Sequence, residues 1–169
     1  MKRLVVIVGP NGVGKSTAAR EFVEQNARTA YVDSDWCRVI NPFVFTQSTR
    51  KTVAENLYCL LRNYLLCSDV DTVVFTHSWH GGRKEIYDSV IGRLRADGLA
   101  FEETVVILHC SREENVRRAL ADGRDENRVQ RGMAATFSFY DGYTYPKIDT
   151  TDMSPGQVAR ELGCLLETL

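Results

Sequence analysis

The run at residues 9–17, GPNGVGKST, follows directly on the apolar stretch LVVIV at 4–8 and fits the pattern G-x-x-x-x-G-K-[ST] at every position. No other feature constrains the fold as tightly. A chain with this run has to end a buried strand, turn through a loop whose backbone N–H groups face inward, and open a helix at once. Such a loop is a concave nest for phosphate oxygens, and the positive end of the following helix faces the same charge. Lys15 is placed to reach the β- and γ-phosphates, and the Ser16 hydroxyl to hold Mg²⁺. Gly9, Asn11, Gly12, Val13, Gly14, Lys15, Ser16 and Thr17 are therefore the expected nucleotide-binding residues, with ATP and Mg²⁺ as ligands.

Further along, apolar runs of strand length alternate with helical patterns, the sequence form of repeated βαβ units around a parallel sheet. Strands are expected at 3–8, 29–33, 72–76, 104–108 and 147–150, and helices at 15–26 and 113–121. Another helix follows Ser48, where Val53, Leu57, Leu60, Leu61, Tyr64 and Leu65 recur at three and four residues. Ile86, Val90, Ile91 and Leu94 mark the next. Ser154 is the expected N-cap of the last helix, with Pro155 at its first position. The fold predicted is a single α/β domain over 1–169 of the P-loop NTPase type, a five-stranded parallel sheet with helices on both faces.

Composition narrows the setting. A length of 169 residues suits one domain with a full core, and a net charge of −1 offers no global attraction to nucleic acid or an anionic membrane. Five cysteines without C-x-x-C spacing are expected as reduced thiols in a cytoplasmic protein. The apolar run at 4–8 is too short for a membrane span and reads as a buried strand.

Open α/β sheets bind ligands at the carboxyl ends of their strands. Strand two ends in DSDWCR at 33–38, and a carboxylate there can orient an acceptor hydroxyl and take its proton. Asp35 is assigned that role, the alternative being an N-cap of a short helix over 36–40. Asp33 either supports Mg²⁺ through water or orients the loop. Strand three leads into THSWHGGR at 76–83, in which His77 and Trp79 are candidate acceptor contacts, Trp79 by stacking or else simply buried. His77 and His80 lack a third ligand at a supporting spacing for zinc. Neither strand three nor strand four ends in Asp or Glu, which disfavours a motor or switch ATPase and favours an acid taken from the strand-two loop.

With GPNGVGKST and the acid pair after strand two, the chain resembles the small P-loop kinases, which include gluconate, shikimate and adenylylsulfate kinases, phage polynucleotide 5′-hydroxyl kinases and zeta-type toxin kinases. The resemblance runs over nearly the whole chain. AREFVEQN and VDSDWCR are similar to the polynucleotide 5′-kinase pattern, where the acid matching Asp35 is the general base and the arginine matching Arg38 contacts the acceptor. INPF is similar to the zeta-type kinases, and YPKIDTTDMSP looks like the last strand and adenine-side loop of the wider family. The resemblance also implies a lid at about 117–131, where five arginines fall within fifteen residues. Rigid guanidinium forks can straddle phosphates and stabilise charge on the transferred group. Arg124 and Arg128 are the expected catalytic arginines, Arg124 also touching nucleotide, and Arg131 an acceptor contact; interleaved Asp122, Asp125 and Glu126 make a solvated helix of ion pairs the alternative. The activity expected is transfer of the γ-phosphoryl of ATP·Mg²⁺ to a small hydroxyl-bearing acceptor. A polynucleotide 5′-hydroxyl kinase, which needs a basic groove with aromatic platforms, and a nucleotide-binding regulator with little turnover are the alternatives.

Overall fold

Alternate residues of the first strand leave it in opposite directions, and each set joins its own layer of helices. Leu4, Val6 and Val8 cluster with Val53, Leu57, Leu61, Val90 and Leu94. Val5 and Ile7 cluster with Ala18, Phe22, Val158 and Leu162. A strand buried on both faces reads as an unbroken apolar run, which is why residues 4–8 show no alternation.

The computed structural model of the chain describes residues 1–123, 125, 127, 129, 132 and 136–168. Its elements are β1 (Lys2–Val8), α1 (Lys15–Gln25), β2 (Thr29–Asp33), a short 3₁₀ helix (Ser34–Arg38), α2 (Gln47–Leu66), β3 (Thr72–Thr76), α3 (Arg83–Ala96), β4 (Phe101–His109), α4 (Arg112–Ala121), β5 (Lys147–Asp149) and α5 (Pro155–Thr168). The strands form one sheet in the order β2-β3-β1-β4-β5, and all four pairings are parallel. Helices α2 and α3 cover one face, α1 and α5 the other. Because β1 is central, its carboxyl end delivers the glycine loop between the ends of β3 and β4.

Three elements differ from the sequence reading. The buried stripe of α2 is Val53, Leu57, Tyr58, Leu61 and Leu65, while Tyr64 is 36% exposed. Tyr58 enters the stripe because its hydroxyl donates to Asp97, so a polar tip rides on a buried ring. β4 begins at Phe101 rather than 104, since its register with β1 starts at Lys2↔Phe101. Glu102 and Glu103 obscured that start; Glu103 is accommodated by hydrogen bonds from Tyr87 and Arg95. β5 ends one residue early, at Asp149. The start of α5 is as expected: the Ser154 hydroxyl accepts from Gln157 N at 3.4 Å and Gln157 Oε1 accepts from Ser154 N at 2.8 Å, a reciprocal cap.

Candidate active site

Gly9 has φ 149°, and a Cβ there would lie 2.2 Å from the Leu108 carbonyl oxygen. Only glycine lets the loop pass this close to β4. Gly12 and Gly14 have φ 85° and 96°, and Gly14 occupies the N-cap of α1 without a side-chain cap. The first amides of α1 are thus left to an anion rather than to a neighbouring side chain. Lys15 Nζ donates to the carbonyls of Gly9 at 2.9 Å and Pro10 at 2.8 Å, folded over the loop it serves.

Ser16 Oγ donates to Asp33 Oδ2 at 2.8 Å. The same oxygen accepts from the Tyr31 hydroxyl at 2.7 Å, and Tyr31 also meets Thr76 Oγ1 at 3.0 Å. Tyr31 and Asp33 share a face of β2 because they are two residues apart, and Asp33 pairs in register with Thr76. Burial, first among several causes, pushes the Tyr31 phenol up to about 12. A hydroxyl and a carboxylate joined this way have the donor chemistry for Mg²⁺, Ser16 directly and Asp33 directly or through water. The carboxylate paired with Ser16 comes from the end of β2.

Asp33 also caps the 3₁₀ helix, its Oδ1 accepting from Asp35 N at 2.9 Å. Capping therefore falls to Asp33, contrary to the alternative reading of Asp35. Asp35 is free to present its carboxylate, which is 66% exposed and ion-paired with Arg38. Asp33, Asp35, Arg38, Lys15 and Ser16 all line one cleft of about 780 Å³. Asn11, Gly12, Gly14 and Thr17 border it too.

On the β3 side the cleft is walled by His77, Ser78 and Arg83. His77 is buried, and its Nε2 donates to the Arg83 carbonyl at 3.0 Å; burial is the main cause holding its imidazole down at about 4. His80 is likewise held at about 4, by burial and then by the charges of Arg83, Lys15 and Arg38. Both rings are neutral at pH 7. Trp79 does not reach the cleft, which corrects its assignment as an acceptor contact. It is 1% exposed and packs on Tyr87, Tyr143 and Tyr145 at ring separations of 5.2–5.7 Å. An indole this large gains more from a dry aromatic cluster than from a wet rim.

The sequence reading assigned no individual role to two residues of α4. Asn115 is 1% exposed and donates from Nδ2 to Asn11 O at 3.0 Å. Arg118, one turn later, donates to Val13 O at 3.2 Å and to Thr150 O at 2.6 Å, tying the phosphate loop to the loop after β5. Arg117 and Arg118 belong to α4 itself and flank Glu114, whose carboxyl these two hydrogen-bonded guanidiniums hold down at about 2. The expected lid thus has its first residues in a regular helix. Arg124, Arg128 and Arg131 lie outside the described residues. Beyond Arg118 a second cleft of about 580 Å³ opens between the phosphate loop and residues 151–155. The i, i+3 spacing of Asn115 and Arg118 was the available signal, hidden because both partners are backbone carbonyls distant in sequence.

A parallel sheet whose central strand runs into this loop, with the Ser16–Asp33 pair at its helix start, defines a P-loop nucleotide-binding domain. Residues 5–137 match the family model described as an AAA domain, AAA_18, and the chain belongs to that family. No curated protein matches the sequence. Among solved structures, a sugar kinase from Janibacter sp. HTCC2649 superposes with a TM-score of 0.66 at 15% identity, covering 99% of this chain and 95% of that one. A gluconokinase from Sinorhizobium meliloti 1021 gives 0.66 at 16% identity over 98% and 94% of the two chains. A shikimate kinase from Acinetobacter baumannii in complex with shikimate gives 0.64 at 17% identity over 99% and 94%. At these identities the likeness is one of fold. Among the described residues no helix is long and apolar enough to cross a membrane.

Proposed function

We propose that the chain is an ATP-dependent kinase that moves the γ-phosphoryl of ATP to a hydroxyl of a small-molecule acceptor. The observation that carries this reading is the shared cleft, in which the phosphate loop faces the Asp35–Arg38 pair. Two sides of one transfer reaction are thereby within reach of each other. Fold neighbours named sugar kinase, gluconokinase and shikimate kinase support the same class of activity.

In this reading Lys15 and the amides of the glycine loop hold the β- and γ-phosphates. Ser16 and Asp33 hold Mg²⁺, which supplies neutralisation of charge on the phosphates. Asp35 accepts the proton of the attacking hydroxyl, and Arg38 fixes the direction of its carboxylate. The base and ribose of the nucleotide take the second cleft, beside Arg118 and residues 151–155. A cleft of about 780 Å³ falls within the size range of small-molecule sites, roughly 300–1,000 Å³.

The test is ADP release with Mg²⁺ and a panel of sugars, sugar acids, nucleosides, aminoglycosides and 5′-hydroxyl oligonucleotides, with Lys15→Ala as the blank. Acceptor-stimulated release that falls by about 10²-fold or more in Lys15→Ala is the expected result. Tight ATP binding with no stimulation by any acceptor would instead favour a regulator.

A further inference from the structure

Trp79 is the fixed point of the loop after β3. Its indole is buried, its N–H donates to the Tyr140 hydroxyl at 2.9 Å, and its carbonyl accepts from Lys84 N at 3.2 Å. Directly after this anchor the chain turns through Gly81 and Gly82, at φ 64° and 78°, into α3. His77, Ser78 and Arg83 of the same loop wall the cleft that residues of the phosphate loop also line. Where that wall stands therefore depends on where Tyr140 holds the Trp79 backbone.

Tyr140 comes from a distant part of the chain and is itself fixed. It is 3% exposed, shares a hydrophobic cluster with Val8 and Trp79, and its ring meets Phe139 and Tyr143 at centroid separations of 5.1 and 6.3 Å. Tyr87, in the same cluster, donates its hydroxyl to Glu103 of β4 instead. Burial raises the pKa of the Tyr140 phenol, and hydrogen bonding from the backbone amides of Trp79 and Gly9 opposes the rise. One oxygen thus stands between the first residue of the phosphate loop and the anchor of the cleft wall. Gly9 is a responsive place for such a link. Its carbonyl accepts from Lys15 Nζ at 2.9 Å, and a Cβ at this residue would lie 2.2 Å from Leu108 O, so the chain here cannot back away toward β4. A force on Lys15 passes to Gly9, to Tyr140 and on to Trp79 through contacts that are contiguous and tightly packed.

We infer that Tyr140 is a positioning residue: it transmits occupancy of the phosphate loop to the loop after β3, so that phosphate bound at Lys15 sets the acceptor-side wall of the cleft in place. The inference rests on the proposed function for nucleotide at the phosphate loop and for an acceptor at that wall; the linkage itself stands on the hydroxyl between them. A first ligand that orders the wall removes part of the ordering cost from the second, which makes nucleotide and acceptor binding mutually favourable.

The experiment is amide hydrogen exchange read by mass spectrometry on the whole protein, alone and saturated with Mg²⁺ and a non-hydrolysable ATP analogue, in wild type, Tyr140→Phe and Tyr143→Phe. Wild-type peptides covering 77–84 are expected to exchange about five-fold or more slowly with the analogue bound. In Tyr140→Phe that ratio is expected to fall to about two-fold or less, while calorimetry gives an analogue affinity within about two-fold of wild type. Tyr143→Phe, the same deletion of one hydroxyl in the same cluster, is expected to keep the wild-type ratio. A purely structural Tyr140 predicts a different result, faster exchange of 77–84 in the variant by the same factor with and without the analogue. That unchanged ratio, no slowing of 77–84 in the wild type while peptides of 9–17 are protected, or analogue binding about ten-fold weaker in Tyr140→Phe would overturn the inference. Should Tyr140→Phe fail to fold, the Trp79 amide resonance of the wild type decides the matter. It is expected to move downfield when the analogue binds, as a tightened hydrogen bond to Tyr140 requires, and an unmoved resonance overturns the assignment. Because the analogue is not turned over, the two readings fail separately: acceptor-stimulated ADP release without the linkage keeps the kinase and rejects this role of Tyr140, and the linkage without any such release does the reverse.

Discussion

Asp33 and Asp35 stand two residues apart and face different chemistry. Asp33 is 7% exposed and receives the Ser16 and Tyr31 hydroxyls, whereas Asp35 projects into the cleft against Arg38. On the proposed role of Asp35 as base, Asp35→Asn keeps the shape and removes the proton acceptor, so kcat should fall by about 10²–10⁴-fold with ATP affinity within a few-fold of wild type. Steady-state rates as a function of pH check this, since survival of the acceptor-dependent rate with an unchanged profile would make Asp35 structural. In the proposed reading Tyr31 acts one step back, donating to the Asp33 carboxylate that would hold Mg²⁺. Tyr31→Phe deletes one hydroxyl and leaves the ring against Trp36, 5.1 Å away; the Mg²⁺ concentration for half-maximal nucleotide binding should rise several-fold, while Tm moves little. An unaltered Mg²⁺ dependence would remove Tyr31 from the site.

At the scale of elements, α4 is the brace of the phosphate loop. Its N-cap Ser111 accepts from Glu114 N at 3.2 Å, and its inner face carries Asn115 and Arg118 to carbonyls of Asn11, Val13 and Thr150. Asn115→Ala leaves the Asn11 carbonyl without its donor in a site 1% exposed, a cost of about 1–3 kcal/mol. Denaturant unfolding should show that loss together with weaker nucleotide binding. Stability lost without any change in nucleotide affinity would mean that α4 supports the core and not the loop. The helical periodicity of 113–121 was legible in the sequence because it depends on spacing within one segment. Its targets were not, since Asn115 and Asn11 are 104 residues apart and backbone carbonyls carry no sequence signature. The charged start of β4 was hidden for a similar reason, Glu103 being satisfied by Arg95 and Tyr87 of another element.

For the molecule as a whole, the loop after β3 holds two buried histidines whose titration bears on stability between about pH 6.5 and 4. His77 and His80 are both held at about 4, below the ordinary value near 6.5. The unfolded chain takes up these protons first, so the folded state is fully favoured above about pH 6.5 and loses stability as pH falls toward 4. Thermal melts should show Tm declining across that window. The slope should be shallower in His80→Gln, whose amide can still accept from Arg83; an identical slope would place the titrating groups elsewhere. The phosphate loop, the alternation of strand and helix and the acid pair after β2 were determined by the sequence alone, because each depends on the spacing of residues within a single stretch of chain. Tertiary structure decided the rest. It chose Asp33 over Asp35 as cap and partner of Ser16, and buried Trp79 in an aromatic cluster. Each outcome depends on which side chains the sheet order β2-β3-β1-β4-β5 brings to the same end of the sheet, and burial there assigns the hydrogen-bond partners that spacing along the chain does not encode.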